Sequence, residues 1–237
     1  MLPSWLTEKP HCPASLRYHL VRASPTSSYE FDFVEGGHPC PGHPAIAAVY
    51  GVQQTYLSYC DGSARSALAA LDDLAAHVSE NGPFDAIMGF SMGSLMAATL
   101  LLRPHEVTAD RPEWAAARAM VRSAVFMCGI RPLASIELQQ EMMEKLRGQD
   151  VGLHGRYNHI NVPTVHIWSP SDPEILGESE ALMKMCDKDK RVEILHTAGH
   201  AVPSDSVEAE AAAAKIHKML VNVQPRDFSR RSQLPRS

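Results

Sequence analysis

The fold is decided by the stretch Phe84-Asp-Ala-Ile-Met-Gly-Phe-Ser91-Met-Gly-Ser-Leu-Met-Ala-Ala-Thr-Leu-Leu-Leu102. It opens with a short apolar run that predicts a buried strand, and it continues as an almost wholly apolar helix that ends before Pro104. Between the two lies Gly-Phe-Ser91-Met-Gly, a G-x-S-x-G pattern typical of a sharp strand-to-helix turn. The glycines remove Cβ atoms that would collide where strand and helix approach. The pattern therefore predicts that the Ser91 hydroxyl stands clear of the backbone as a candidate nucleophile.

Length and composition limit the possible domain organisation, partners and location of the protein. The 237 residues, 45% of them hydrophobic, predict one globular domain over residues 1–221, followed by a polar, disordered tail over residues 222–237. The net charge of −5 and the lack of a basic patch argue against a nucleic-acid partner. No apolar run reaches eighteen residues, so no membrane span is expected. Five scattered cysteines and an N-terminus without a signal-peptide core predict a cytoplasmic protein with reduced thiols.

Strand and helix patterns alternate along the chain. This alternation predicts an α/β fold with a mainly parallel sheet and helices on both faces. In such sheets the ligand site lies beyond the carboxyl ends of the strands. The predicted strands are 29–34, 84–90, 121–128, 162–168 and 191–195, with a loop over 36–45. The predicted helices are 14–21, one that runs to residue 80 from an N-cap at Asp61 or Ser63, 92–102, 134–147, 175–186 and 207–221.

Two loops at the predicted active edge carry further candidates. Asp172 lies a few residues past the strand 162–168, where a carboxylate can orient a histidine. Alternatively, Asp172 simply caps the helix that follows it. His200 lies in a glycine-containing loop past the strand 191–195, where it is either a general base or an ordinary surface histidine.

Together, Ser91, Asp172 and His200 have the chain order Ser…Asp…His of the α/β-hydrolase fold. A serine hydroxyl attacks a carbonyl only when a base removes its proton, so His200 is the predicted base and Asp172 the residue that fixes its tautomer. The oxyanion that develops needs backbone donors. The N–H of Met92, directly after the nucleophile, is the predicted first donor.

The sequence resembles the fungal serine hydrolase family of the α/β-hydrolase superfamily, which includes the ovarian-cancer-associated protein 2 homologues. The resemblance covers most of residues 29–221, and its specific part is the run Gly82-Pro-Phe-Asp-Ala-Ile-Met-Gly-Phe-Ser-Met-Gly93. It implies the triad Ser91, Asp172 and His200. It also implies an esterase or thioesterase, in fungi often one that releases or trims the product of a polyketide synthase in secondary metabolism.

One departure from the family pattern bears on activity. The family begins with a central strand that ends in Leu-His-Gly, and the loop after this strand donates the second oxyanion N–H. Here no such strand precedes residues 14–21, so the fold is expected to lack its usual N-terminal strand, as in an abbreviated gene product. A missing oxyanion donor typically costs about 10²–10³ in kcat. The alternative is thus a catalytically impaired remnant that acts as a binding protein.

The remaining candidates concern the substrate and cofactors. The segment 129–161, with its methionine-bearing helix, is a possible lid, and Met142 is a substrate-contact candidate or ordinary core. Tyr56 and Tyr59 are predicted to form the floor of an apolar pocket or, alternatively, to be ordinary residues of the hydrophobic core. No metal or other cofactor is expected, because the spacing of His196 and His200 falls in a loop rather than on a helix. The favoured interpretation is a serine hydrolase of a small-molecule ester or thioester with an apolar acyl group, with a synthase carrier domain as a possible partner.

Overall fold

The computed structural model describes residues 29–42, 55–102, 111–132, 159–203 and 205–223. The predicted helices 14–21 and 134–147, nearly all of the tail and most of the possible lid lie outside these ranges. Within them, no helix has the length and hydropathy to cross a membrane. In chain order the elements are β1 (His38–Cys40), β2 (Tyr56–Ser58), α1 (Ala64–Asn81), β3 (Ile87–Phe90), α2 (Met92–Leu101), α3 (Pro112–Ala119), β4 (Ala124–Met127), β5 (Thr164–Trp168), α4 (Glu178–Lys184), β6 (Arg191–Leu195) and α5 (Ser206–Asn222).

The main sheet has four parallel strands in the order β3-β4-β5-β6. Each strand therefore pairs with the next one along the chain, and all four run in the same direction. Their carboxyl ends meet at one edge, where parallel α/β sheets place their ligand sites. The residues that directly follow the strands at this edge, which we call the rim, are Ser91, Cys128, Ser169 and His196.

Side chains of β4 show that both faces of the sheet are covered. Ala124 and Phe126 belong to one core cluster, which also contains residues of α1, α2, α3 and α4. The alternate residues Val125 and Met127 belong to a second cluster, formed with α5. Because successive side chains of a strand point to opposite faces, helices cover both sides of the sheet. The expected α/β architecture is confirmed.

Helix α2 has apolar residues on nearly all of its faces, as expected for a helix that is buried on nearly all sides. From Met96 to Leu101 every residue is buried, as the sequence predicted for the helix after Ser91. On the opposite face of the sheet, α5 turns small residues toward the strands. Ala209, Ala212 and Ala213 are fully buried there, so the helix axis can lie close to the sheet.

Helix α1 begins as the sequence predicted. The side chain of Ser63, its N-cap, accepts a hydrogen bond from the Ser66 N–H. Helix α4 is shorter than the predicted 175–186 and begins only at Glu178. Gly177, directly before it, has a φ of 79°, a left-handed conformation that a regular helix does not contain.

The predicted strand 29–34 is wrong, because these residues form no strand. Tyr29 and Phe31 instead pack against the second core cluster, and the Asp32 carboxylate lies 2.9 Å from Nε2 of His77 on α1. The predicted loop 36–45 also differs from the structure, because it contains β1, which pairs antiparallel with β2. Neither this pair of strands nor α3 was predicted from the sequence.

Candidate active site

Ser91 occupies the sharp turn between β3 and α2. Its φ of 50° and ψ of −117° are rare for a residue with a side chain, and such strain is found mostly at functional sites. The backbone around it holds this conformation, because the Ser91 N–H donates to Met127 O at 2.9 Å and Ser94 Oγ donates to Ser91 O at 2.6 Å. A Cβ on Gly89 would lie 2.5 Å from backbone atoms of Gly93, which explains the first glycine of the motif, whereas a Cβ on Gly93 would meet only the Tyr59 ring, at 3.8 Å.

His200 connects the three residues that the sequence predicted. Its Nε2 lies 3.0 Å from Ser91 Oγ, and its Nδ1 lies 2.7 Å from Asp172 Oδ2. An ionised carboxylate only accepts hydrogen bonds, so Nδ1 carries the proton and Nε2 accepts the hydroxyl proton of Ser91. The loop reaches this position through Gly199, whose φ is 65°. The structure thus brings Ser91, His200 and Asp172 into one hydrogen-bonded chain.

The two carboxylate oxygens of Asp172 have different partners. Oδ2 faces His200, while Oδ1 accepts the Glu174 N–H at 2.9 Å. Asp172 therefore faces the histidine as predicted, whereas the alternative of a helix cap is wrong, because its other oxygen closes a turn to Glu174 and α4 begins only at Glu178. With a residue exposure of only 4%, the carboxylate is shielded from water, which strengthens its interaction with the histidine.

Two neighbours shape the surroundings of His200. The centroids of the Phe90 ring and the His200 imidazole lie 5.2 Å apart, with an angle of 48° between the ring planes, so Phe90 covers part of the imidazole with apolar surface. Oε2 of Glu174 lies 3.7 Å from Nε2. A second carboxylate at this distance favours the imidazolium that forms during proton transfer.

Cys128 is a residue of the rim that was not predicted from the sequence. It follows β4, is fully buried and has a φ of 45°. Its thiol donates to Ala201 O at 3.6 Å, beside His200. Burial, and then the charge of Asp172, raise the pKa of the Cys128 thiol to about 12, so the thiol is protonated and is not a nucleophile. The available signal was its position as the last residue of the predicted strand 121–128, at the predicted active edge.

His196, also on the rim, is a neutral core histidine. Its side chain is buried and its Nδ1 accepts the Ala198 N–H at 3.1 Å. Burial lowers the pKa of His196, so its ring stays uncharged. Among the described residues, the group whose ligand atoms could hold a metal ion is instead Cys128, Asp172 and His200, whose atoms lie within 4.8 Å of one another.

The other candidates lie at different distances from the nucleophile. Met92 begins α2, and within the described residues its backbone N–H donates to no protein acceptor. Tyr59 lies against the first turn of α2, where a Cβ added to Gly93 would lie 3.8 Å from its ring. Tyr56 is buried in β2, with its ring against Gly42. Met142 lies outside the described residues, and substrate contact by either tyrosine stays a prediction.

The rim therefore combines the parts that nucleophilic acyl transfer needs. A serine at a strained turn contacts a base, a buried carboxylate orients that base, and a backbone N–H stands beside the serine.

Comparisons with known proteins identify the family of the chain. Residues 14–212 match the family described as Serine hydrolase (FSH1). Esterase FPY3 of Fusarium mangiferae is 34% identical over 195 residues, which cover 82% of each chain. Esterase citA of Monascus ruber is 23% identical over 212 residues, covering 81% of each chain. Esterase OVCA2 of Bos taurus is 24% identical over 143 residues, covering 60% of this chain and 53% of the relative.

A solved structure of a putative hydrolase from Agrobacterium vitis S4 has a TM-score of 0.41 and 17% identity, covering 73% of this chain and 78% of that one. The family match covers residues 14–212 of the 237. By this match, and by its identity to an esterase along most of both chains, the protein belongs to the FSH1 family of serine hydrolases.

Proposed function

We propose that Ser91, His200 and Asp172 form a catalytic triad that hydrolyses an ester or thioester with an apolar acyl group. The observation that carries the proposal is the hydrogen-bonded chain from Ser91 Oγ through the imidazole to Asp172, with distances of 3.0 and 2.7 Å. Catalytic serines are recognised by such geometry. Membership of a serine hydrolase family and similarity to esterases support the same chemistry.

In the first half-reaction, Ser91 Oγ attacks the acyl carbonyl while its proton passes to Nε2 of His200. The imidazolium then gives this proton to the leaving alcohol or thiol as the carbon–oxygen or carbon–sulfur bond breaks. In the second half-reaction, water attacks the acyl-enzyme and His200 again takes a proton. The acid leaves and Ser91 regains its hydroxyl proton. Asp172 stays ionised throughout and stabilises the imidazolium.

The oxyanion of each tetrahedral intermediate is assigned to the N–H of Met92. This group begins α2, so it is a free donor at the positive end of a helix that runs ten residues. In the family pattern, the second donor follows a Leu-His-Gly strand.

An apolar acyl group suits the side chains beside the nucleophile. Phe90 covers part of His200, and the side chain of Met92 is 40% exposed next to Ser91. Methionine adapts to flexible apolar chains. Release or trimming of a polyketide, with a carrier domain of the synthase as partner, is supported by the family resemblance alone. A cytoplasmic location is supported by the scattered cysteines of the sequence.

The experiment is hydrolysis of p-nitrophenyl acetate and butyrate, and of the matching butyryl thioester of N-acetylcysteamine, by the purified chain. We expect the butyrate ester to give the higher kcat/KM, and we expect Ser91→Ala to lower kcat by about 10⁴ or more. Ser171→Ala is the matched control, because Ser171 is an exposed serine of the loop after β5 whose hydroxyl contacts Ser169. A folded protein without Ser91-dependent hydrolysis would instead support the binding-protein alternative.

A further inference from the structure

Cys128 has no task in the proposed reaction, although it lies against two of the catalytic side chains. Its thiol is fully buried, and the Asp172 carboxylate is close enough to contribute to the raised pKa of the thiol. Its sulfur, a carboxylate oxygen of Asp172 and a ring nitrogen of His200 all lie within 4.8 Å of one another. These are three different donor types converging on one point, rather than a cysteine on its own.

We propose that Cys128, Asp172 and His200 form an inhibitory site for a zinc-like divalent cation, which switches off the triad when it binds. Zinc prefers tetrahedral sites made of thiolate, imidazole and carboxylate ligands, at about 2.0–2.3 Å from the metal. Tetrahedral donors around such an ion are about 3.3–3.6 Å apart. The 2.7 Å contact between Asp172 and His200 must therefore open by less than 1 Å, and the sulfur, which lies within 4.8 Å of both ligand atoms, must move inward by at most about 1.5 Å.

Charge and hydrogen bonding also fit a divalent ion. One thiolate and one carboxylate neutralise the two positive charges, so the loaded site is neutral, which a buried position requires. Oδ2 of Asp172 is the oxygen that faces the histidine, while Oδ1 keeps its bond to the Glu174 N–H. That bond orients the carboxylate as outer hydrogen bonds commonly orient metal ligands.

The proton balance explains why binding would inhibit. The cation takes the position of the proton on Nδ1 of His200, and this proton moves to Nε2. The Cys128 thiol loses its proton to solvent as the sulfur–metal bond forms, so one proton is released for each ion bound. With Nε2 protonated, the imidazole no longer accepts the hydroxyl proton of Ser91. The serine then loses its base without any change in the fold.

The test measures inhibition of metal-free enzyme by Zn²⁺, with each variant compared to its own uninhibited rate. Cys128→Ser should raise the half-inhibitory concentration at least ~10-fold, since even changes to residues behind a metal ligand cost about 10- to 100-fold in affinity. Cys186→Ser is the matched control, because Cys186 is also buried, with a thiol pKa raised to about 12, and lies outside the three-ligand group. It should leave the half-inhibitory concentration unchanged. Mg²⁺, which prefers oxygen ligands, should not inhibit.

Cobalt(II) provides a readout that needs no turnover. The wild-type chain should give a thiolate-to-cobalt charge-transfer absorption at one equivalent, and Cys128→Ser, or Cys128→Ala if the serine variant does not fold, should lose it. Since this band is independent of hydrolysis, the metal site and the proposed catalytic function can fail separately. Equal zinc sensitivity with and without Cys128, or no cobalt band that depends on Cys128, would overturn the proposal.

Discussion

Replacing Asp172 by asparagine tests the orientation of the base with almost no change in shape. In the structure, Oδ1 accepts the Glu174 N–H at 2.9 Å and Oδ2 accepts the His200 Nδ1–H at 2.7 Å. An asparagine must keep its carbonyl oxygen toward the Glu174 N–H, since an amide NH₂ there would face another donor. The NH₂ group then faces Nδ1 of His200 and donates to it.

This hydrogen bond selects the wrong tautomer of His200. Nδ1 becomes the acceptor and the proton moves to Nε2, which can then no longer accept the proton of Ser91. The same substitution in a serine protease triad lowers kcat by about 10⁴. At about 1.4 kcal/mol for each tenfold change, this corresponds to about 5.5 kcal/mol in the activation free energy. We expect a loss of the same order here, because both oxygens of Asp172 have fixed partners.

The assay is kcat and kcat/KM for p-nitrophenyl butyrate, with circular dichroism to show that the variant is folded. Asp187→Asn is the matched control: Oδ1 of Asp187 accepts the N–H of Asp189, two residues on, in the same kind of turn before β6. The control should keep its full kcat. A kcat within tenfold of wild type for Asp172→Asn would refute the tautomer argument and leave Asp172 as a residue that only closes its turn.

Two further substitutions test the fold around the site. A Cβ on Gly89 would lie 2.5 Å from backbone atoms, so Gly89→Ala should lower the free energy of unfolding by about 1–3 kcal/mol in urea denaturation. A Cβ on Gly37 would have no atom within 4 Å, so Gly37→Ala should keep the free energy of unfolding within about 0.5 kcal/mol of wild type. Equal effects of the two substitutions would contradict the packing argument. Burial, and then the charge of Arg191, lower the pKa of His166 to about 3. Below pH 6.5 the unfolded chain therefore binds a proton on His166 that the folded chain does not bind, and the free energy of unfolding falls. Between pH 7 and 5, His166 should lower the free energy of unfolding by about 2 kcal/mol, and His166→Gln should reduce the loss measured in urea denaturation by that amount. An unchanged loss in this variant would contradict the assignment to His166.

The sequence predicted the candidate site because each of its residues follows an apolar strand. Parallel strands end at a common edge, so Ser91, Asp172 and His200 could be placed together without knowing any distance. The strand order β3-β4-β5-β6 follows the chain order, which makes this inference simple. What the sequence could not give is the division of the Asp172 oxygens, which depends on the turn to Glu174.

The wrong strand at 29–34 has an identifiable cause. Its alternating aromatic and acidic residues fit a half-buried strand, but the same alternation arises when a non-strand segment packs aromatic rings against a core. Tyr29 and Phe31 do this, while Asp32 reaches His77 on α1. The pattern therefore identified the buried side chains and not the hydrogen-bonding partner of the backbone.

Cys128 and α3 were missed for different reasons. Scattered cysteines raise first the question of disulfides, although Cys128 ends the predicted strand 121–128 and therefore lies at the predicted active edge. Helix α3 is short and starts with Pro112 at its first turn, a recognised start signal that lies within an otherwise polar stretch. Both signals were present in the sequence, but neither belongs to a motif that carries chemistry by itself.

The most direct test of the triad is labelling of the purified chain with a fluorophosphonate, followed by mass spectrometry of the modified peptide. The proposed mechanism predicts one adduct per chain, on Ser91, which forms slowly in Asp172→Asn and disappears in Ser91→Ala. A folded protein that stays unlabelled, or that carries the adduct on another serine, would contradict the assignment of Ser91 as the nucleophile.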